Sequence, residues 1–128
     1  MKVLLDTHIW IWYLLGDARL SRTHRTLMED DDNELLLSSI SVWEAHMLIE
    51  KKRLVVSTGP AAWIRQALRS VQVRETGITF AIAVRSRALA VEHQDPADRF
   101  IAATAIEMKL PLLTADQHLL DFPEIRCL

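Results

Sequence analysis

The pattern that most restricts how this chain can fold is an alternation of short apolar runs with helical stretches. Residues 2–5 (KVLL), 34–37 (ELLL), 110–114 (LPLLT) and 125–128 (IRCL) have strand character, and 71–74 (VQVR) is a weaker fifth. Between them, apolar residues recur at helical spacing over about 8–15, 22–31, 41–52, 59–70, 80–89 and 96–108. A strand with one wet face alternates apolar and polar residues; one that is apolar on both sides must be covered on both faces. Alternating strands and helices of this kind predict an α/β protein with a mainly parallel sheet packed between helices. With 128 residues and no repeat or linker, residues 1–128 are expected to form a single domain.

The run IWIWYLL at 9–15 bears on location and partners. It is seven residues long and preceded by Asp6 and His8, whereas about 20 apolar residues are needed to cross a bilayer. No membrane span or secretory leader is expected, and a single cysteine, Cys127, rules out an internal disulfide and fits a reducing, cytoplasmic setting. Cys127 reads as strand packing. A helix over 8–15 that is apolar all round must be buried on two sides, by the sheet and by something else, which points to a partner chain.

Four carboxylates fall at corresponding places on this map. Asp6 ends the first strand, and Asp116 follows the strand at 110–114. Glu44 and Asp98 are each placed in the first turn of a helix that follows a strand or loop. In a parallel α/β sheet those junctions gather at the carboxyl ends of the strands, where such folds hold ligands. Acids crowded into one crevice must be protonated or neutralised by a cation. All-oxygen ligands select a hard ion, Mg²⁺ or Mn²⁺, and such ions suit hydrolysis of phosphodiesters by an activated water. Each acid also has a plain structural reading. Glu44 could close a capping box on Ser41, Asp98 could complement a helix dipole, and Asp116 could cap the helix that starts at QHLLDF. Asp95, before Pro96, reads mainly as an N-cap.

The segments LLDTHIWIWYL, SSISVWEAHMLIEKKRL and EHQDPADRFIAATAIEMKLPLLTAD resemble the PIN-domain toxins of bacterial toxin–antitoxin modules, the VapC type. The resemblance runs through nearly the whole chain in order, and the D-P-x-D-R-x-I-A-x-x-A run followed by T-x-D is its most specific part. It implies a PIN-like three-layer α/β/α fold with a four- to five-stranded sheet. It also implies a Mg²⁺- or Mn²⁺-dependent endoribonuclease that acts as the toxin of a pair. Asp6, Glu44, Asp98 and Asp116 match the family's catalytic, metal-binding acids. Thr114 matches a residue that orients a carboxylate or a water at the metal, and Asp95 is a second candidate for such support. The partners implied are a cognate antitoxin, an RNA substrate and a second copy in a homodimer. Close relatives often carry an Arg before the D-P pair and a bulky residue after it; here Gln94 and Ala97 stand there.

A net charge of −2 argues against nucleic-acid binding only until four acids are assigned to cations, which leaves +2 on the rest of the chain. Arg99, beside Asp98, is the first candidate for a phosphate contact. Arg19, Arg22 and Arg25, spaced three apart as if on one helical face, are candidates for tracking an RNA backbone. Against the nuclease stand a phosphatase with an aspartyl nucleophile and a receiver-like Mg²⁺-binding signalling module. The first wants an acid where His8 stands; the second wants a phosphoacceptor Asp after a middle strand, where LLLSS offers none.

Overall fold

In order along the chain the elements are β1 (Lys2–Leu5), α1 (Thr7–Leu15), α2 (Arg22–Glu29), β2 (Glu34–Ser38), α3 (Ser39–Glu50), α4 (Pro60–Ser70), β3 (Arg74–Thr76), α5 (Phe80–Ala88), α6 (Pro96–Glu107), β4 (Leu112–Leu113) and α7 (Gln117–Leu120). They come from a computed structural model that describes residues 1–89 and 95–128. The four strands form one sheet in the order β3-β2-β1-β4, and every pairing is parallel.

Alternate residues of each central strand enter opposite layers. Val3 and Leu5 of β1, with Leu35 and Leu37 of β2, join Trp10, Met28, Ala45 and Ala67 from α1, α2, α3 and α4. Leu4, Leu36 and Leu112 join Ile82, Ile101, Ala102 and Leu119 from α5, α6 and α7 on the other face. Both sides of β1 are therefore dry, as its sequence requires, and a fully buried leucine there contributes about 1.5–3 kcal/mol. This is the α/β architecture expected from the alternation, with helices on both faces.

The order of strands also fixes where a ligand can sit. From β1 the chain steps outward to β2 and β3 through helices on one face, then returns past β1 to β4 through α5 and α6 on the other. The reversal lies between β1 and β4, and a crevice opens at the carboxyl ends of strands beside such a switch. The ladder continues to that very edge: the Asp6 N–H donates to the Leu113 carbonyl at 2.9 Å.

Several local expectations are corrected. Residues 125–128 add only an isolated parallel bridge, Leu112 to Cys127, so the sheet has four strands among the described residues. The edge strand lies at Arg74–Thr76 and not at 71–74. It is mostly exposed, and Arg74 pairs with Glu34 at 2.8 Å, so no apolar pattern announces it. Helix α3 begins two residues before 41, because Ser38 is the N-cap and accepts from the Ile40 N–H. Arg19 lies outside α2, which starts after its N-cap Ser21, so Arg19, Arg22 and Arg25 do not share a helical face. Finally, along α1 the outer side is half-covered by the chain itself, and Leu15 stays 49% exposed. Trp12, Tyr13 and Leu14 pack against the chain's own core, the Arg19 guanidinium lies 5.0 Å over the Trp12 ring, and that of Arg25 lies 5.6 Å over Tyr13. The most exposed large apolar residues are instead Val55 and two on α5, Phe80 at 95% and Val84 at 72%.

Candidate metal centre

Asp6 is the first residue beyond β1 and the N-cap of α1. It is 3% exposed, and both carboxylate oxygens have donors: the Thr7 N–H to Oδ1 at 2.8 Å and the Thr114 hydroxyl to Oδ2 at 2.7 Å. Thr114 follows β4, and its Oγ1 also accepts the Asp116 N–H at 3.0 Å. One hydroxyl thus ties the end of β1 to the loop that carries Asp116. Asp116 in turn caps α7, accepting from the His118 N–H at 2.9 Å. The capping reading of Asp116 is realised, and its charge is nonetheless felt by Asp6 and Asp98.

Glu44 is not in the first turn of its helix. With Ser38 as N-cap it is the sixth residue of α3, too far in to close a capping box, and Ser41 is not a cap. The Ser41 hydroxyl instead shares a 2.8 Å hydrogen bond with the Thr7 hydroxyl. Glu44 is buried, and its Oε1 has no hydrogen-bond partner. A buried carboxylate oxygen left unmatched costs free energy unless a cation or a proton meets it.

Asp98 does lie in the first turn of α6, on the buried face, at 7% exposure. Asp95 caps that helix through the Ala97 N–H at 3.0 Å. It also turns a carboxylate oxygen toward the crevice. Among the described residues, Glu44, Asp95 and Asp98 form a group of acids whose oxygens all lie within 4.8 Å of one another. Asp95 therefore has a larger share in the site than its capping role suggested, while Asp6 and Asp116 border this trio without joining it.

The electrostatics record the crowding. Burial pushes the carboxyl of Asp6 above its ordinary range, and the charge of Asp116 adds to it, although Thr114, His8 and Thr7 pull the other way. Burial also raises Glu44, against the Thr7 hydroxyl that favours its charged form. Asp98 is pushed up to about 9, first by burial and then by the charges of Asp6, Asp95, Glu44 and Asp116. Five acids thus act on one another across a few residues' width. Without a cation they cannot all ionise near neutral pH.

The donor set fits a hard divalent ion: every candidate ligand is a carboxylate oxygen, and one buried oxygen lacks any other partner. A separate depression of about 680 Å³ lies at the opposite edge of the sheet, among Asp30, Asp31, Asp32 and the starts of β2 and β3. Those three aspartates are exposed and solvated.

The basic candidates are placed differently from expectation. Arg99 does not project into the crevice as a free phosphate contact. Its guanidinium donates to the carbonyls of Ser86, Arg87 and Leu89 at 2.9, 3.4 and 3.1 Å, closing the end of α5. Arg19 is held by Asp17 at 2.7 Å, and Arg25 stands 4.0 Å from Glu29; Arg22 is exposed at the start of α2. Gln94 and His93 lie outside the described residues. Thr7 went unnoticed in the sequence, and Ser41 was read only as a possible cap for Glu44 through the S-x-x-E spacing.

Comparison with known proteins agrees with this geometry. The PIN domain family matches residues 3–125. The chain is 37% identical over 118 residues to Ribonuclease VapC22 of Mycobacterium tuberculosis, covering 91% of this chain and 88% of that protein. Its fold is similar to a chain in the structure of VapBC2 from Rickettsia felis bound to a promoter DNA fragment. There the TM-score is 0.75 at 16% identity, over 100% of this chain and 98% of that one. It is also similar to a chain of a toxin–antitoxin complex from Klebsiella pneumoniae, with a TM-score of 0.67 at 26% identity over 96% and 94% of the two chains.

Proposed function

The chain belongs to the PIN-domain family, and from that premise we propose how its crevice performs the reaction of a metal-dependent endoribonuclease, the toxin of a toxin–antitoxin pair. The observation that carries the reading is the convergence of Asp6, Glu44, Asp95, Asp98 and Asp116 at the reversal point of a parallel sheet. We assign Mg²⁺ or Mn²⁺ as the cofactor, because only a hard cation matches an all-carboxylate donor set that also has to admit a phosphate. When bound, such an ion supplies acidity to a water and offsets charge on the scissile phosphate.

The chain's own residues prepare that chemistry. Glu44, Asp95 and Asp98 each offer an oxygen close enough to share one cation. Asp6 is fixed in one orientation by two donors, and Asp116 by the N-terminus of α7. Asp98 sits in the first turn of α6, where the helix dipole favours its ionised form once a cation offsets the neighbouring charges. RNA is a polyanion and would be repelled by five bare carboxylates, so substrate and cation must enter as linked events. Thr114 supports Asp6 from outside the cluster, and Arg22 is exposed at the start of α2.

The partner is an antitoxin. Among the described residues no helix is long and apolar enough to cross a membrane. Self-association, expected from the sequence, has the exposed Phe80–Val84 face of α5 as a candidate surface beside α1. We take the domain to span residues 1–128. The test is to incubate the purified protein with defined transfer and messenger RNAs, with EDTA and after Mn²⁺ is restored, and to map the cut ends. Internal cuts that vanish in EDTA and return with Mn²⁺ are expected. Undiminished cutting in EDTA, or by both Asp6→Asn and Asp98→Asn variants, would reject the assignment.

A further inference from the structure

We propose that Thr7 is a positioning residue that couples Asp6 to Glu44 and sets how tightly the crevice holds its cation. This rests on the metal-site reading above and adds to it a residue with no carboxylate. Thr7 is fully buried at the start of α1, and it serves both neighbouring acids with different groups. Its backbone N–H donates to Asp6 Oδ1 at 2.8 Å, and its hydroxyl reaches α3, the helix that carries Glu44. The same hydroxyl meets that of Ser41, itself fully buried, at 2.8 Å.

Proton counting gives the arrangement a direction. A hydroxyl has one proton to donate and lone pairs to accept with. The Thr7 hydroxyl donates its proton to Ser41 Oγ, which ties the start of α1 to α3. Ser41 lies one turn before Glu44 on α3, so the Thr7–Ser41 bond holds the turn that carries Glu44 against the residue that follows Asp6. Glu44 Oε1 is buried without a hydrogen-bond partner, which leaves it available to a cation. Thr114 does the corresponding work on the far side, joining Asp6 to the Asp116 loop. Two buried threonines thereby link three acids that come from three separate strand ends.

Outer-shell partners of this kind change metal affinity by about 10–100-fold when removed. Mn²⁺ binding to the purified full chain, measured by calorimetry without RNA, is the test, with thermal melts in EDTA to check folding. Thr7→Val keeps the shape and removes the hydroxyl; it should weaken Mn²⁺ binding by roughly tenfold or more. Thr7→Ser restores the hydroxyl and should bind within about threefold of wild type, while Ser41→Ala should fall between. Should Thr7→Val fail to fold, the Ser41→Ala isotherm decides alone. Wild-type affinity in Thr7→Val, or in Ser41→Ala where that decides, overturns the proposal, as does an equal loss in Thr7→Val and Thr7→Ser, and in both cases the metal site stands. A flat wild-type isotherm removes the site itself, and the proposal with it.

Discussion

Replacing Asp98 with Asn should stabilise the cation-free protein and remove its response to Mn²⁺. In the fold, burial and four neighbouring acids hold the Asp98 proton up to about pH 9, whereas the ordinary value for such a carboxyl is 3.8. Between those limits the folded state binds more protons than the unfolded one, so stability falls as pH rises. From about pH 4 to pH 7 this carboxyl alone removes at most about 4 kcal/mol. The neighbouring acids share that cost, because protonating any one of them relieves the others, and the part that falls to Asp98 is roughly 2 kcal/mol. For a domain of this size the Asn variant should then melt roughly 6–10 °C above wild type in EDTA near neutral pH. The gap should narrow toward about pH 5, where the wild-type group regains its proton at little cost. Asp6 and Glu44 are raised too, so the wild type keeps a slope of the same sign from those groups. Differential scanning calorimetry at both pH values, with EDTA and with Mn²⁺, reads all of this. Mn²⁺ should raise the wild-type melting temperature by mass action and leave the variant nearly unmoved. A variant no more stable than wild type in EDTA at neutral pH would refute the charge-crowding argument.

Three other perturbations follow from the geometry. Thr114→Val takes the donor from Asp6 Oδ2 and should cut RNA cleavage by about 10–100-fold with the fold intact; near-normal cleavage would show that Asp6 needs no such support. Arg99→Met strands carbonyls at the end of α5 and should cost about 1–3 kcal/mol in urea unfolding, with little change in RNA affinity; the reverse outcome would return Arg99 to the role of a phosphate contact. Phe80→Glu puts a charge on the exposed face of α5 and should shift sedimentation toward monomer, whereas an unchanged dimer would place the self-association surface elsewhere.

The sequence displayed the fold through its central strands and helices, and hid it where tertiary context dominates. Lys2–Leu5 and 34–37 read correctly because both of their faces are buried, leaving a continuous apolar run. Arg74–Thr76 escaped because an edge strand needs no such run, and residues 125–128 contribute a single bridge although they are apolar enough for a strand. Asp98 was legible as one of four acids at strand–helix junctions, and it lies on the buried face of α6. Asp95 was harder to read: its capping bond is real, and only coordinates show that its side chain also faces Glu44 and Asp98. Thr7 carried no signal at all. Its importance comes from meeting Ser41, 34 positions away, across α1 and α3, and a pairing of that kind is not periodic. The arginines misled for a related reason, since Arg19, Arg25 and Arg99 each found partners within the fold that spacing does not reveal.

Whether the crevice holds a divalent ion can be seen directly in crystals soaked with MnCl₂, using anomalous diffraction at the manganese edge. The expected result is a peak bound at roughly 2.0–2.5 Å by oxygens from among Asp6, Glu44, Asp95, Asp98 and Asp116. A map with no peak there, or with manganese only at exposed acids such as Asp30–Asp32 across the sheet, would contradict the account.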